Sequence, residues 1–182
     1  ENSFGVASVI VSGKKDAVLI DTQFTLADAE KVAQEIKKSG KKLTTIFVSH
    51  GDPDFYFGLE VFKKYFPEVT AYATPATIEH IKATAQKKLD VWGERLGKNI
   101  TSNVILPQVL KGNSIELEGH HLEIVGLQEF PSQTFVWIPS IKAVVGGINV
   151  FGTTFHLWMA DAQTTEARKN WISVLDKITA LN

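Results

Sequence analysis

The decapeptide at positions 49–58, SHGDPDFYFG, constrains the fold of this chain more than any other stretch. It follows the apolar run LTTIFV at 43–48, which is too short for a helix and predicts a buried strand. It precedes apolar residues spaced three and four apart at 59–66, which predict one face of a helix. Because α/β proteins bind ligands where a strand ends and a helix begins, this loop is the first candidate for a functional site.

Three polar side chains of the decapeptide, His50, Asp52 and Asp54, alternate along a tight loop. Side chains spaced in this way can converge on one point, so they form the candidate functional group of the sequence. A structural role competes with this hypothesis, because Asp52 before Pro53 is also typical of a helix N-cap followed by proline at the first helical position. The sequence leaves both interpretations open.

Apolar patterns in the first 100 residues predict strands that alternate with helices. The predicted elements are a hairpin at 4–20, a helix from Thr25 to Gly40, the strand at 43–48, a short strand at 69–73 and a long helix that begins at Pro75. The long helix has an apolar stripe on one side. His80, Thr84 and Lys88 lie on the opposite side, so we predict that His80 is exposed to solvent.

The second half of the chain carries the patterns of antiparallel hairpins. The predicted elements are an edge strand at 104–110, a hairpin at 115–124 with its turn at 118–120, two short strands at 135–139 and 143–147, and a final helix with Trp171 and Val174 on its apolar side. His120 and His121 belong to the turn, which argues against a paired-histidine metal site. This order of elements predicts an α/β fold, a four-layered αββα sandwich with two sheets inside and helices outside.

Length, charge and cysteine content narrow the classes of function. A chain of 182 residues is long enough to form one domain with a substantial core, so we predict a single domain over residues 1–182. The formal net charge of −1 gives no support for binding nucleic acid or an anionic membrane. The absence of cysteine excludes disulfides and thiolate metal sites. The oligomeric state stays open, as does the compartment, because a first residue other than Met fits a periplasmic or secreted mature chain and a trimmed cytoplasmic chain equally.

The decapeptide resembles the His-x-His-x-Asp-His signature of the metallo-β-lactamase superfamily. His50 matches the first histidine and Asp54 the aspartate, while Asp52 stands at the second histidine and Phe55 at the third. The strand end at 18–22 is also similar to the segment that precedes the first helix in that superfamily. The two predicted strands at 135–139 and 143–147 are similar to its later hairpin. The resemblance implies the metallo-β-lactamase type of αββα sandwich.

The resemblance also implies where metal ligands would lie. His50, Asp52 and Glu129 would form a single metal site, since Glu129 falls near the later histidine loop and carboxylate oxygens favour harder cations than zinc. Phe55 cannot bind metal, and the bridging aspartate falls on Ile148 or Asn149. The last family histidine and its strand would follow residue 182. The dinuclear site is therefore expected to be eroded, so that the cofactor is one divalent metal, namely zinc, manganese or iron, or none.

A second group of residues borders the same region in the resemblance. Aromatic side chains at ligand positions would turn a metal cavity into a mainly apolar pocket for a small molecule. The residues expected to contact such a ligand are Phe55, Phe130, Asn149, His156 and Trp158.

Two functions remain open at this point. The first is a hydrolase-like protein whose activity on small esters, lactones or β-lactams is weak or lost, with Asp54 as the catalytic residue that orients or deprotonates a metal-bound water. The alternative is a metal-free protein, natural or engineered, that binds a small and largely apolar molecule in the former active site. Neither function requires nucleic acid or a membrane.

Overall fold

The structure is a computed structural model that describes residues 5–152 and 157–181. Its first sheet contains five strands in the order β1-β2-β3-β4-β5. Their bounds are β1 Val9–Ser12, β2 Asp16–Ile20, β3 Lys42–Val48, β4 Thr70–Ala73 and β5 Gln108–Val109. The first pair is antiparallel and the other three pairs are parallel. The carboxyl ends of β2, β3 and β4 therefore meet at one edge of this sheet.

Four helices connect these strands, and each of the parallel pairs is joined by a helical crossover, as parallel pairing requires. They are α1 Leu26–Lys38, α2 Pro53–Tyr56, α3 Leu59–Tyr65 and α4 Pro75–Leu96. The predicted helix signals are confirmed at two starts. The side chain of Thr25 accepts a hydrogen bond from the Asp28 N–H at the start of α1, and Pro75 is the first residue of α4.

The second sheet is fully antiparallel, with the order β6-β7-β8-β9. Its strands are β6 Ser114–Leu117, β7 His120–Val125, β8 Phe135–Ile138 and β9 Ala143–Val145, and a last helix, α5 Thr165–Thr179, follows. The turn between β6 and β7 consists of Glu118 and Gly119, whose φ values are 51° and 84°. Two positive φ values are typical of the two-residue turn that matches the twist of a hairpin.

Alternation of side chains along the strands creates the four layers. On β2, Val18 and Ile20 pack between the two sheets, while Leu19 packs against α1, α3 and α4 on the outer face. On β8, Val136 and Ile138 point to the space between the sheets, and Phe135 and Trp137 pack against α5. The predicted αββα sandwich is confirmed, because successive residues of a strand point to opposite faces.

His120 and His121, predicted to belong to a turn, are the first residues of β7. Two elements also differ from their predictions. The helix after the decapeptide is split into α2 and α3 at Gly58, whose N–H donates to the carbonyl of Gln23 in the segment after β2. The strand predicted at 104–110 is reduced to the two residues of β5, since Pro107 lacks the N–H that a longer ladder would use. Within the two described ranges no helix is long and apolar enough to cross a membrane.

Candidate functional site

A buried hydrogen-bond network supports the edge of the sheet where the parallel strands end. Ser49 donates from its N–H to Oδ1 of Asp21 over 2.8 Å and from its hydroxyl to Oδ2 over 2.7 Å. The Gly147 N–H donates to Oγ of Ser49 over 2.8 Å. Asp21 follows β2, Ser49 follows β3 and Gly147 follows β9, so this network joins the two sheets directly beneath the decapeptide loop.

Burial dominates the electrostatics of Asp21. It raises the pKa of this carboxyl from 3.8 to about 7, against the two hydrogen bonds from Ser49, and the charge of Asp54 adds to the rise. The backbone of Asp21 has a φ of 62°, in the left-handed region. Asp21 is thus a buried carboxyl that stays largely protonated below neutral pH.

His50 is buried at the end of β3 and has contacts on both sides of its ring. Its Nδ1 accepts a hydrogen bond from the N–H of Asp52 over 3.3 Å, and the ring of Phe55 lies edge-on with centroids 5.1 Å apart. Burial lowers the pKa of His50 to about 4; the Asp52 carboxylate opposes this shift, whereas His80 and Lys88 add to it. The imidazole is therefore neutral near pH 7.

Asp52 occupies the N-cap position of α2, yet its side chain makes no capping hydrogen bond. The carboxylate instead receives a hydrogen bond from the Lys88 ammonium at Oδ1. Nε2 of His80 lies 3.5 Å from the same oxygen, and Nδ1 of His50 lies 3.6 Å from Oδ2. Burial acts to raise the pKa of Asp52, but His50, the Lys88 ammonium and His80 together lower it below the ordinary value, so the group is ionised.

Asp54 follows Asp52 by two residues, in the first turn of α2, and is partly buried. Burial raises its pKa to about 7; its own backbone N–H and Lys88 oppose this rise, while the carboxylates of Asp52 and Asp161 add to it. The pKa of Asp161 is itself raised, first by burial and then by Asp52. The segment that contains Asp161 therefore lies near enough to the loop for its charge to act there.

The sequence prediction missed two members of this site, His80 and Lys88 on α4. Lys88 Nζ lies 3.5 Å from Nε2 of His80, and the two residues are eight positions apart, just over two helical turns. Gly51 permits the close approach of α4, because a Cβ at this position would lie 2.7 Å from Cδ2 of His80. The usable signal was the polar stripe of His80, Thr84 and Lys88. His80 is exposed, as predicted, and it also reaches Asp52.

The other predicted site residues are distributed around the second sheet. Glu129 is exposed, and both of its carboxylate oxygens lie 3.2 Å from Nζ of Lys177 on α5. Phe130 packs against the cluster of Phe135, Trp137 and Val174, whereas Phe55 packs against the helices that cover the first sheet. Phe55 and Phe130 therefore belong to separate apolar clusters.

Asn149 is buried and connects a loop to α5. Its Nδ2 donates to the carbonyl of Gln133 over 2.9 Å, and its own carbonyl accepts from Nε1 of Trp171 over 2.8 Å. Its Oδ1 has no hydrogen-bond partner within the described part of the chain. Trp158 is 57% exposed, and His156 lies outside the described residues.

The side chains present do not fit a metal centre of the usual kind. Within 5–152 and 157–181, no three His, Cys, Asp or Glu side chains are placed to hold a metal ion together. One oxygen of Asp52 binds the Lys88 ammonium, and Nδ1 of His50 accepts a backbone N–H. Glu129 is paired with Lys177. The potential ligands are thus engaged with groups of the protein itself.

An apolar cleft lies at the same edge of the first sheet, where β4 ends and α4 begins. Its volume is about 360 Å³, and its lining consists of Thr74, Pro75, Ala76, Leu110, Gly112, Leu127 and Pro131. This lining carries few polar groups, a composition that suits an apolar part of a small molecule.

Comparison with known proteins identifies a family and a set of similar folds. The profile described as "Metallo-beta-lactamase superfamily" matches residues 2–137. A metallo-beta-lactamase from Pontibacter korlensis is 20% identical with a TM-score of 0.68, over 94% of this chain and 74% of that one. The BLEG-1 B3 metallo-beta-lactamase is 16% identical with a TM-score of 0.72, over 96% and 81% of the two chains.

The DIM-1 metallo-beta-lactamase is a further structural match, at 19% identity and a TM-score of 0.65, over 96% of this chain and 74% of that one. No curated protein matches the sequence significantly. Since these structures are less than 25% identical to the chain, they establish its fold and leave its activity to be argued from the site.

Proposed function

Because the chain belongs to the metallo-beta-lactamase superfamily, we propose that it is a hydrolase-like protein in which dinuclear metal hydrolysis is weak or lost. The proposal concerns the site and not the fold, since one fold supports many functions. Its candidate substrates are the small esters, lactones and β-lactams that metal-activated water can attack.

The observation that carries this proposal is the ion pair between Asp52 and Lys88. A dizinc hydrolase needs several imidazole and carboxylate ligands that bring the pKa of a bound water near 7. Here the carboxylate in the second ligand position binds an ammonium group, and the third ligand position is Phe55, which has no donor atom. The arrangement therefore lacks the ligands that a second metal requires.

Residues of the loop can still orient a water molecule or a polar group of a substrate. Asp54 is partly buried beside the Asp52–Lys88 pair, and the buried Asp21–Ser49 network holds the strand end below it. We assign Asp54 the role of orienting or deprotonating a water in any residual hydrolysis. A carboxylate acting without a metal-bound hydroxide provides only part of the rate enhancement, which is the reason to expect weak activity.

Metal analysis combined with a hydrolysis panel tests the proposal. The protein is purified without chelator and its zinc, manganese and iron contents are measured. It is then assayed with a chromogenic cephalosporin, several lactones and several thioesters, with and without added zinc. We expect well below one metal ion per chain and turnover far below the usual enzymatic range. Stoichiometric metal together with chelator-sensitive turnover in that range would refute the proposal.

A second candidate function is the binding of a small, largely apolar molecule without metal. The apolar cleft near the start of α4 offers a place for the apolar part of such a molecule, and its lining contains no residue of the decapeptide. The aromatic ring of Phe55 beside His50 adds apolar surface in the decapeptide loop. In this function the carboxylates would face a donor or cationic group of the ligand, because a buried unpaired charge is costly.

The substitution Phe55→His separates the two functions. It restores an imidazole next to His50 and removes aromatic surface, so apolar binding should weaken while zinc affinity rises. Wild type and variant are titrated with a hydrophobic fluorescent dye and, separately, with zinc. If neither affinity changes, Phe55 is a packing residue and the binding function loses its support.

A further inference from the structure

The apolar cleft at the start of α4 is lined by segments from both halves of the chain. Residues 74–76 belong to the start of α4, whereas the other lining residues lie between β5 and β6 or between β7 and β8. Pro75, Gly112 and Pro131 of the lining are exposed, so a molecule from solvent can enter the cleft. Its volume of about 360 Å³ is in the range of small-molecule sites.

The lining of the cleft offers no free polar side chain. Thr74 is the one polar side chain among the described residues that line it. The Thr74 hydroxyl accepts the N–H of Thr77 over 3.1 Å and is 3.0 Å from Oγ1 of Thr77, so its hydrogen bonds are already made. Leu110 and Leu127 are partly exposed and await apolar contact. The cleft therefore fits the hydrocarbon part of a ligand, because a polar group there would lose its hydrogen bonds to water.

One side of α4 connects this cleft to the polar residues beside the decapeptide loop. Ala76 lines the cleft, and His80 follows it by four residues in the same helix. Residues four apart lie on the same side of a helix, with Cβ atoms about 5–6 Å apart. Nε2 of His80 is in turn 3.5 Å from Oδ1 of Asp52. A molecule that lies along this side of α4 can thus contact the cleft and the polar residues together.

The polar residues at the end of this path carry more negative than positive charge. The charges of Asp52 and Lys88 act on both Asp54 and Asp161, so the three carboxyl groups lie near one ammonium. Lys88 donates its hydrogen bond to Asp52. Burial keeps His50 neutral near pH 7, so this imidazole adds no positive charge. A cationic group of a ligand is therefore favoured at this end over an anionic one.

We propose that the cleft and these carboxyl groups form one binding site for an organic amine with an apolar chain. The hydrocarbon chain occupies the cleft, and the ammonium group lies past His80, near Asp54 and Asp161. The inference rests on the metal-free binding function proposed above and names its ligand class. A carboxylic acid of the same length would place a negative charge beside the carboxylates and would bind more weakly.

Three probes that share one chain and differ in their head group test the charge preference. Octylamine, octanol and octanoate are titrated at pH 8 against the protein with the uncharged dye phenylnaphthylamine bound, and dye displacement gives each affinity. We expect octylamine to bind about tenfold more tightly than octanol, and octanoate more weakly than octanol, since one charge-assisted hydrogen bond is worth about that factor. Equal affinities of the three probes, or tightest binding of octanoate, would overturn the inference.

Two variants locate the chain and the head group. Ala76→Phe fills the cleft and should weaken octylamine and octanol alike by about tenfold. Ala83→Phe is the matched control, because Ala83 is exposed further along α4, and it should leave both affinities unchanged. Asp161→Asn should weaken octylamine about threefold and leave octanol unchanged. If Ala76→Phe does not fold, Leu127→Ser removes part of the apolar lining and the same criteria apply to it.

The outcomes separate this inference from the functions proposed above. Probe binding that Ala76→Phe and Leu127→Ser leave unchanged would overturn the inference, while metal-free binding would stand. A wild type that binds neither the dye, measured directly, nor any probe would overturn both. Stoichiometric metal with chelator-sensitive turnover would refute the loss of metal hydrolysis, and the order of the three probe affinities in metal-free protein would still decide the inference.

Discussion

Lys88 of α4 donates a hydrogen bond to the carboxylate of Asp52 across 36 residues of sequence. This contact explains why Asp52, although placed at the N-cap position of α2, does not cap that helix. It also links α4 to the loop that follows β3. The first prediction concerns its contribution to stability.

Lys88→Met should lower the free energy of unfolding by about 1–2 kcal/mol, because a partly desolvated carboxylate loses a charged hydrogen-bond donor. Urea denaturation followed by circular dichroism measures the change. Lys87→Met, on the exposed side, should stay within about 0.5 kcal/mol of wild type. Equal effects of the two substitutions would mean that the ion pair adds no stability.

Asp21 should make the protein less stable as pH rises from about 4 to about 7. Its pKa is 3.8 ordinarily and about 7 in the folded state, so between these values the folded chain binds a proton that the unfolded chain has released. Asp54 acts in the same direction, which makes the comparison with a variant necessary. Asp21→Asn tolerates the positive φ of 62° and keeps an acceptor for the Ser49 N–H.

Melting temperatures of wild type and Asp21→Asn, measured from pH 4 to pH 8, test this linkage. The melting temperature of the variant should fall less steeply than that of wild type over this window. The difference between the two melting temperatures should become constant above pH 7. Parallel curves for the two proteins would show that Asp21 does not titrate in this range.

Glu118 should stabilise the protein above its ordinary pKa. Its carboxylate accepts hydrogen bonds from the N–H groups of Lys14, Lys15 and Asp16, and these lower its pKa from 4.5 to about 2. The turn of β6–β7 is thereby tied to the turn of β1–β2. Because the folded pKa is lowered, this stabilisation is complete above pH 4.5 and is lost as pH falls toward 2.

Glu118→Gln should lower the melting temperature at pH 7, with a difference from wild type that shrinks between pH 4.5 and pH 2. Glu116 is exposed and lies on β6 of the same hairpin, so Glu116→Gln is the control and should leave the melting temperature unchanged. A pH-independent difference for Glu118→Gln would mean that the negative charge is irrelevant to the contact.

Gly58 and Gly93 should respond in opposite ways to alanine. A Cβ at position 58 would lie 1.8 Å from the carbonyl oxygen of Thr22, so Gly58→Ala should cost about 3 kcal/mol or more. A Cβ at position 93 in α4 has no atom within 4 Å, so Gly93→Ala should add about 0.5–1 kcal/mol through helix propensity. Denaturant titrations of both variants give the two values. Comparable stability of Gly58→Ala and wild type would contradict the close approach of the loop to β2.

The sequence by itself determined the order and type of the elements. The strands β2 and β8 lie where their apolar runs predict them, and Thr25 and Pro75 mark helix starts, as predicted. These features follow from local patterns, because the side-chain period of a strand or helix depends only on neighbouring residues. The resemblance of the decapeptide placed the chain in its superfamily, and the loop lies at the predicted strand end.

Only the tertiary structure decided which side chains surround that loop. The sequence placed His80 and Lys88 opposite the apolar stripe of α4 and predicted an exposed His80, which is confirmed, but it had no means of showing that both residues lie beside Asp52. The hydrogen bond from the Gly147 N–H to the Ser49 hydroxyl, 98 residues apart in sequence, is likewise invisible in the sequence. Such partners depend on how a helix crosses a sheet and how two sheets meet. Those relations are set by the packing of the whole core, whereas the pattern within any one segment sets only its own secondary structure.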